Sequence, residues 1–312
     1  ADWARRLLST QRAGDRVHRQ TEAVLQKLNH RPDFVADKNV IRHIHRKTAD
    51  QDIYFVSNRT AEPQSLNATF RVTGKTPKLW DPETGSQRAL PQFKEDNGCI
   101  TVPLQFAAHE SYFMIFDDVT GVTDGENFQM LESLVKLDGS WNVAFDPDWG
   151  GPEKIEFPEL IDWREHENRG IQYYSGTAIY RKKFDLPADA DMNESMVLDL
   201  GKIYEMARVK LNGETIGTVW TAPYQIELDP ALFKAKGNEL EIEVANSWEN
   251  RLIGDKTKED RDVRTVQWDS GLLGGKAFKT GRYTFSTHAK DYKKKTQPSG
   301  LIGPVILKQM ED

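Results

Sequence analysis

The chain has 312 residues, 38% of them hydrophobic and 29% charged, with eight Trp and a single Cys. That length fits about two domains and can bury a core without disulfide or metal staples. A net charge of −6 argues against a nucleic-acid partner, no apolar run reaches the length of a membrane span, no signal peptide opens the chain, and one Cys cannot form an internal disulfide.

Residues 1–38 read as helical. Val17, Val24, Leu25 and Leu28 recur at helical spacing, and Gly14-Asp15 offers a start. A helix this short cannot bury its apolar stripe alone, so the segment reads as the tail of a preceding domain. The first residue, Ala1, agrees with this: the sequence reads as an excerpt of a longer polypeptide.

Over residues 39–122 the period becomes two. Leu66, Ala68, Phe70 and Val72 alternate with Ser65, Asn67, Thr69 and Arg71, the pattern of a half-buried strand. Further strands are expected at Asp52–Val56, Cys99–Leu104 and Ser111–Phe116. The runs Asp81-Pro82-Glu83-Thr84-Gly85 and Asp96-Asn97-Gly98 are hairpin signals. Together these predict a small antiparallel sandwich that ends in the polar stretch Asp117–Asn127. Cys99 lies in a strand-like run with no activating neighbour and reads as an inert core thiol.

Residues 123–312 return to strands. Glu239, Glu241 and Glu243 alternate with Leu240, Ile242 and Val244, and Asn212-Gly213 stands between two strand runs. With no long helix in this half, the expectation is a jelly-roll sandwich.

Several constellations fail as chemistry. Gly271–Ala277 is one residue short of a phosphate loop and ends in Ala where a hydroxyl belongs. Lys293–Lys295 read as a solvated loop. His43 and His45 share a strand face but have no evident third metal ligand. The chain holds 48 acids, so some carboxylate pair always looks plausible, yet no eightfold β/α alternation exists to carry one.

The aromatics say more. Trp220 and Tyr224 follow the Asn-Gly hairpin strand, while Trp248, Asn250 and Arg251 follow the alternating Glu strand. Rings beside amide and guanidinium groups are what a sugar site needs, since the ring stacks on the apolar pyranose face and the polar groups satisfy hydroxyls. The competing reading is that Trp220 and Trp248 plug the ends of the sandwich. A structural calcium held by backbone carbonyls with Asp146 or Asp148 is a further expectation.

The run from Tyr174 to Pro187, with Ala207–Gly213, Ile216–Trp220, Gly237–Val244 and Pro298–Val305, resembles the sugar-binding domain of family 2-type glycoside hydrolases. The stretches Asn246–Asp255, Ile44-His45-Arg46, Asp52–Asn58, Thr73-Gly74-Lys75 and Leu79–Gly85 are similar to the C-terminal half of α-L-rhamnosidase-like glycoside hydrolases of family 106. The resemblance covers roughly residues 40–312. It implies an all-β chain: a helical tail over 1–38, an immunoglobulin-like sandwich over 39–122, and a galactose-binding-like jelly roll over 123–312. It also implies a secreted or periplasmic bacterial enzyme acting on oligosaccharide or polysaccharide, whose catalytic barrel lies upstream of this chain. No catalytic residue carries over to any position here. The expected role is therefore accessory, with Trp220, Tyr224, Trp248, Asn250 and Arg251 as carbohydrate contacts. The alternatives are a purely structural scaffold and a glycosidase active on its own.

Overall fold

Alternating polarity carries through to the backbone. The computed structural model describes residues 24–25, 27–28, 30–118, 124–188, 190–254, 263–267, 276–277, 282–285 and 295–310, and the chain divides into two units, residues 1–128 and 129–312. Both are built from strands, as the sequence predicts.

In the first unit the strands are β1 (Phe34–Ala36), β2 (Ile41–Lys47), β3 (Asp52–Asn58), β4 (Gln64–Phe70), β5 (Thr76–Trp80), β6 (Gln87–Ala89), β7 (Lys94–Asp96), β8 (Cys99–Phe106) and β9 (Ser111–Asp117). They form two antiparallel sheets, ordered β1-β4-β8-β7 and β2-β3-β9-β5-β6. Tyr54, Val56, Leu79, Met114 and Phe116 from one sheet meet Leu66, Ala68, Phe70, Ile100 and Val102 from the other. Phe70 lies 4.9 Å from both Tyr54 and Phe116, ring centre to ring centre. The β7–β8 hairpin turns on Asn97 and Gly98 at φ 52° and 75°, the left-handed pair that an Asn-Gly turn supplies.

Three details depart from expectation. Val24, Leu25 and Lys27 are helical, and the Leu28 amide donates to the Val24 carbonyl at 3.0 Å, whereas Val17 lies outside the described residues. Residues 34–36, however, are a strand: β1 pairs with β4, and Phe34 packs edge-on to Phe70 at 5.2 Å. Burial of that ring against a sheet outweighs local helical spacing. At the other end the unit runs through Phe128 instead of closing at 122. Asn127 is 1% exposed, its side chain accepting from the Gln92 amide and donating to the Gln92 and Pro103 carbonyls. A polar residue so fully used stays with the sandwich that satisfies it. Cys99, at the start of β8, is half-buried and not a core thiol.

One end of this sandwich is held by charge. The two ring nitrogens of His45 lie 2.9 Å from Asp33 and 3.1 Å from Asp52, and Lys75 donates to Asp52 at 2.9 Å. Burial opposes ionisation of Asp52, but the hydrogen bonds from Lys75 and His45 and the nearby charges of Lys75 and Lys47 outweigh it, so its pKa falls below the ordinary aspartate value.

The second unit contains β10 (Leu131–Lys136), β11 (Trp141–Ala144), β12 (Ile155–Phe157), β13 (Thr177–Phe184), β14 (Met196–Asp199), β15 (Lys202–Tyr204), β16 (Met206–Leu211), β17 (Glu214–Val219), β18 (Gln225–Leu228), β19 (Asn238–Ala245), β20 (Val263–Gln267), β21 (Lys276–Ala277), β22 (Arg282–Phe285), β23 (Gly300–Gly303) and β24 (Ile306–Met310). A six-stranded sheet, β12-β11-β13-β19-β16-β17, is joined by a four-stranded one, β10-β24-β14-β18. The pair β15-β23 and the triple β21-β20-β22 complete the set. Two short helices, α1 (Arg169–Gln172) and α2 (Glu249–Gly254), sit in the connections. Leu240, Ile242 and Val244 are buried while Glu239, Glu241 and Glu243 face outward. The last three pair with Arg181, Lys183, Arg208 and Lys210 on neighbouring strands.

Trp163 and Tyr180, both fully buried, tie the core together: the indole Nε1 donates to the Tyr180 hydroxyl at 2.5 Å, and that hydroxyl accepts from the Leu301 amide at 3.3 Å. Gly300 lies against the Trp163 indole with φ +94°, and a Cβ there collides with the ring. Gly300→Ala is therefore expected to cost about 2 kcal/mol or more in urea unfolding of the second unit. A change below about 0.5 kcal/mol contradicts this packing. For Asp52 the sign follows from its lowered pKa: its stabilisation is complete above about pH 4 and drains away as the pH falls through the folded value. Asp52→Asn should lower the melting temperature at pH 7 and flatten the loss of stability below about pH 4 in thermal scans.

Candidate functional site

Strand register brings the residues picked out in the sequence to one rim. Val219, the last residue of β17, pairs with Ala207 near the start of β16; Met206 and Ala207 pair with Ala245 and Val244 at the end of β19; Ala245 pairs with Thr177 at the start of β13. Trp220, Glu205, Asn246–Trp248 and Gly176 thus all leave the six-stranded sheet at the same end. The Glu205 amide donates to the Ala245 carbonyl at 2.8 Å across that rim. Tyr224 joins it just before β18, its backbone carbonyl accepting from Leu200 at 2.9 Å. Burial pushes the Tyr224 hydroxyl pKa up, and the charge of Glu205 adds to the shift.

Burial then separates the five candidates. Trp220 is 59% exposed and Trp248 47% exposed, so neither plugs the sandwich. Trp141 and Trp163 fill that place, at 1% and 0%. Tyr224 is half-buried and packs on the core. Asn250 and Arg251 are each 1% exposed. The Asn250 amide donates to the Gln297 carbonyl at 2.7 Å and to Ser299 Oγ at 2.8 Å, and its oxygen accepts from the Gln297 amide at 2.7 Å. Arg251 donates to the Trp149 carbonyl and holds its guanidinium 5.8 Å above the Trp149 ring. These two side chains face inward and support the rim.

The support extends to residues that polarity alone did not single out. Trp149, at the end of a short 3-10 turn capped by Asp146, meets Trp248 edge to face at 5.4 Å and 86°. Asn246 accepts from the Gly176 amide at 3.0 Å and donates to the Tyr174 carbonyl at 2.8 Å and to Ser299 Oγ at 3.1 Å. Tyr173 lies against Gly254 at the end of α2, with the Arg169 guanidinium 5.2 Å over its ring. An Asn one residue past an alternating strand was the available signal for this network, because such an amide can satisfy the amides and carbonyls of neighbouring strand ends.

The other constellations resolve as follows. Asp146 accepts from the Asp148 amide at 2.9 Å as a cap, and among the described residues no group of three or more His, Cys, Asp or Glu could hold a metal ion. His45 is engaged by Asp33 and Asp52, and His43 stands 4.5 Å from the Phe34 ring. Residues 271–275 and 293–294 lie outside the described residues, whereas Lys276-Ala277 form β21 and Lys295 is exposed. A groove of about 1010 Å³ runs over the outer face of β11, β13, β19 and β16. There Arg181 and Lys210 both bind Glu241, at 2.7 and 2.9 Å, and Lys210 also binds Glu243 at 2.5 Å.

Comparison with known proteins matches both halves of the chain. Residues 3–95 fit the alpha-L-rhamnosidase family of glycoside hydrolases, and residues 160–302 fit the glycosyl hydrolase 2 galactose-binding domain-like family. The rhamnosidase from Novosphingobium sp. PP1Y is 33% identical and superposes with a TM-score of 0.77 over 93% of this chain and 26% of that one. A protein of Formosa agariphila named "Putative beta-glucuronidase" is 28% identical over 304 residues, 93% of this chain and 24% of its own length. The chain is thus related to glycoside hydrolases, with rhamnosidase-type sequence at its start and a galactose-binding-like domain after it. It spans about a quarter of the length of each of these two relatives.

If the rim is a rigid support carrying exposed rings, its parts should respond differently to truncation. Asn250→Ala strands buried partners on Gln297 and Ser299 and should cost about 2–3 kcal/mol in chemical unfolding. Trp248→Ala should stay within about 1 kcal/mol of the parent. Equal costs for the two would contradict this division.

Proposed function

We propose that this chain is an accessory region of a glycoside hydrolase and that the rim bearing Trp220 and Trp248 contacts oligosaccharide or polysaccharide. The observation that carries the reading is the pair of exposed indoles at one end of a galactose-binding-like domain. A solvent-facing indole loses water on stacking against the C–H face of a pyranose. Arg251 and Asn250, placed among the contacts by sequence, act in this reading as support: Arg251 holds Trp149, and through it Trp248, while Asn250 fixes Gln297 and Ser299. Tyr224, half-buried against the core beside Glu205, is a further contact in this reading. A secreted or periplasmic enzyme that degrades glycans is the setting in which such a region works. The catalytic carboxylates in this reading belong to a barrel elsewhere in the enzyme.

A second reading, a scaffold that buttresses that barrel, is favoured by a separate observation: the first unit carries apolar side chains on an outward sheet face, with Ile44 55% exposed and Trp80 37% exposed. The two roles are compatible, since they use different units.

Calorimetric titration with rhamnose-, galactose- and uronate-containing oligosaccharides tests the binding role. Trp248→Ala and Trp220→Ala are each expected to weaken binding about tenfold, or about 1.4 kcal/mol, without moving the melting temperature. Absence of binding to every one of these glycans overturns the role. On an aryl α-L-rhamnoside the chain alone should show no turnover, and measurable turnover would favour a glycosidase active by itself.

A further inference from the structure

The outward face of β2-β3-β9-β5 carries a straight apolar row. Register aligns Ile44 with Phe55, Phe55 with Phe113, and Phe113 with Trp80. Their strand neighbours Tyr54, Val56, Met114 and Leu79 are buried in the core, so alternation puts all four on the opposite side of the sheet. In the next row Ile53 is half-buried and Ile115, opposite it, is only 5% exposed, between Arg46 on β2 and Lys78 on β5. Phe55 and Phe113 are 5.1 Å apart, and Phe113 and Trp80 5.5 Å, making a continuous ridge.

A one-core sandwich puts polar residues on its solvent faces. The second unit does so, covering the outer side of β13, β19 and β16 with paired Arg, Lys and Glu. The same chain leaves Ile, Phe, Phe and Trp in the equivalent place on the first unit. Surfaces of this composition mark contact sites. Ring geometry favours protein over glycan: interplanar angles of 57° and 40° turn neighbouring rings against one another instead of offering parallel faces for successive sugars. Arg42 and Arg46, exposed on the same strand face to either side of Ile44, add a cationic rim that suits carboxylates opposite.

We infer that this row is the docking face for another domain of a longer glycoside-hydrolase polypeptide, one presenting an apolar strip with acidic side chains opposite Arg42 and Arg46. Polypeptide to meet it exists in both relatives, of whose length this chain matches about a quarter. The inference rests on the scaffold reading and names the surface through which it works.

Hydroxyl-radical footprinting read by mass spectrometry tests it, comparing Trp80 and Phe113 in the 312-residue chain with the same residues in the polypeptide as its coding sequence gives it. Both should react readily in the short chain and several-fold less in the longer one. Ile44→Glu in the longer polypeptide should restore reactivity at Trp80, while saccharide binding at Trp248 is unaffected. Equal reactivity in the two polypeptides overturns the docking face but leaves the scaffold reading to other surfaces. A coding sequence that adds no further domain overturns both. Protection already present in the short chain overturns it too, whether by self-association seen in sedimentation or by the chain's own first residues, and so does protection conferred by an added glycan.

Discussion

Strand β19 is the constraint on which the second unit depends. It lies between β13 and β16, pairs with both along its length, buries Leu240, Ile242 and Val244, and turns Glu239, Glu241 and Glu243 to the charged outer face. A slip of one residue would exchange those two sets, sending three carboxylates into the core. Register here is therefore strongly specified, and the rim inherits that precision. Trp220 and Trp248 are separated by 28 positions in sequence, yet they leave the sheet at one end, from strands either side of β16, because β17 is keyed through β16 to β19.

Beyond the sheet, the rim is fixed by hydrogen bonds that have little competition from water. Asn246, Asn250 and Ser299 share contacts, and Ser299 in turn donates its amide to Asp162 at 3.2 Å. Asp162 caps the turn that carries Trp163 and binds Arg164. Each member satisfies more than one partner, so removal of one leaves several buried groups unpaired. Such a network holds rings in place without using the groups that a ligand needs, and this is why amides and guanidinium near an aromatic rim can be support and not contact.

Much of the architecture was legible in the sequence. Alternation located the strands at 52–58, 64–70, 99–106, 111–117 and 238–245, and Asn97-Gly98 and Asn212-Gly213 fixed their hairpins through the positive φ both residues adopt. What stayed hidden was depth. Asn250 and Arg251 have the residue types of a sugar contact, but type does not reveal that a helical turn points them inward against Gln297 and Trp149. Phe34 reads as the end of a helical tail until its partner Phe70, distant in sequence, is known. The same holds for Ile44, Phe55, Phe113 and Trp80, an unremarkable set along the chain that becomes one row only through the pairing of four strands.

The position of β24 carries a consequence for how the second unit comes into being. The last strand described is not at an edge: it lies between β10, the unit's first strand, and β14. Until residues 306–310 have left the ribosome, β10 has no neighbour in that sheet and β14 has only β18. The six-stranded sheet can pair earlier, but its partner sheet closes only once residues 306–310 have been made, so maturation of this half of the chain waits on β24.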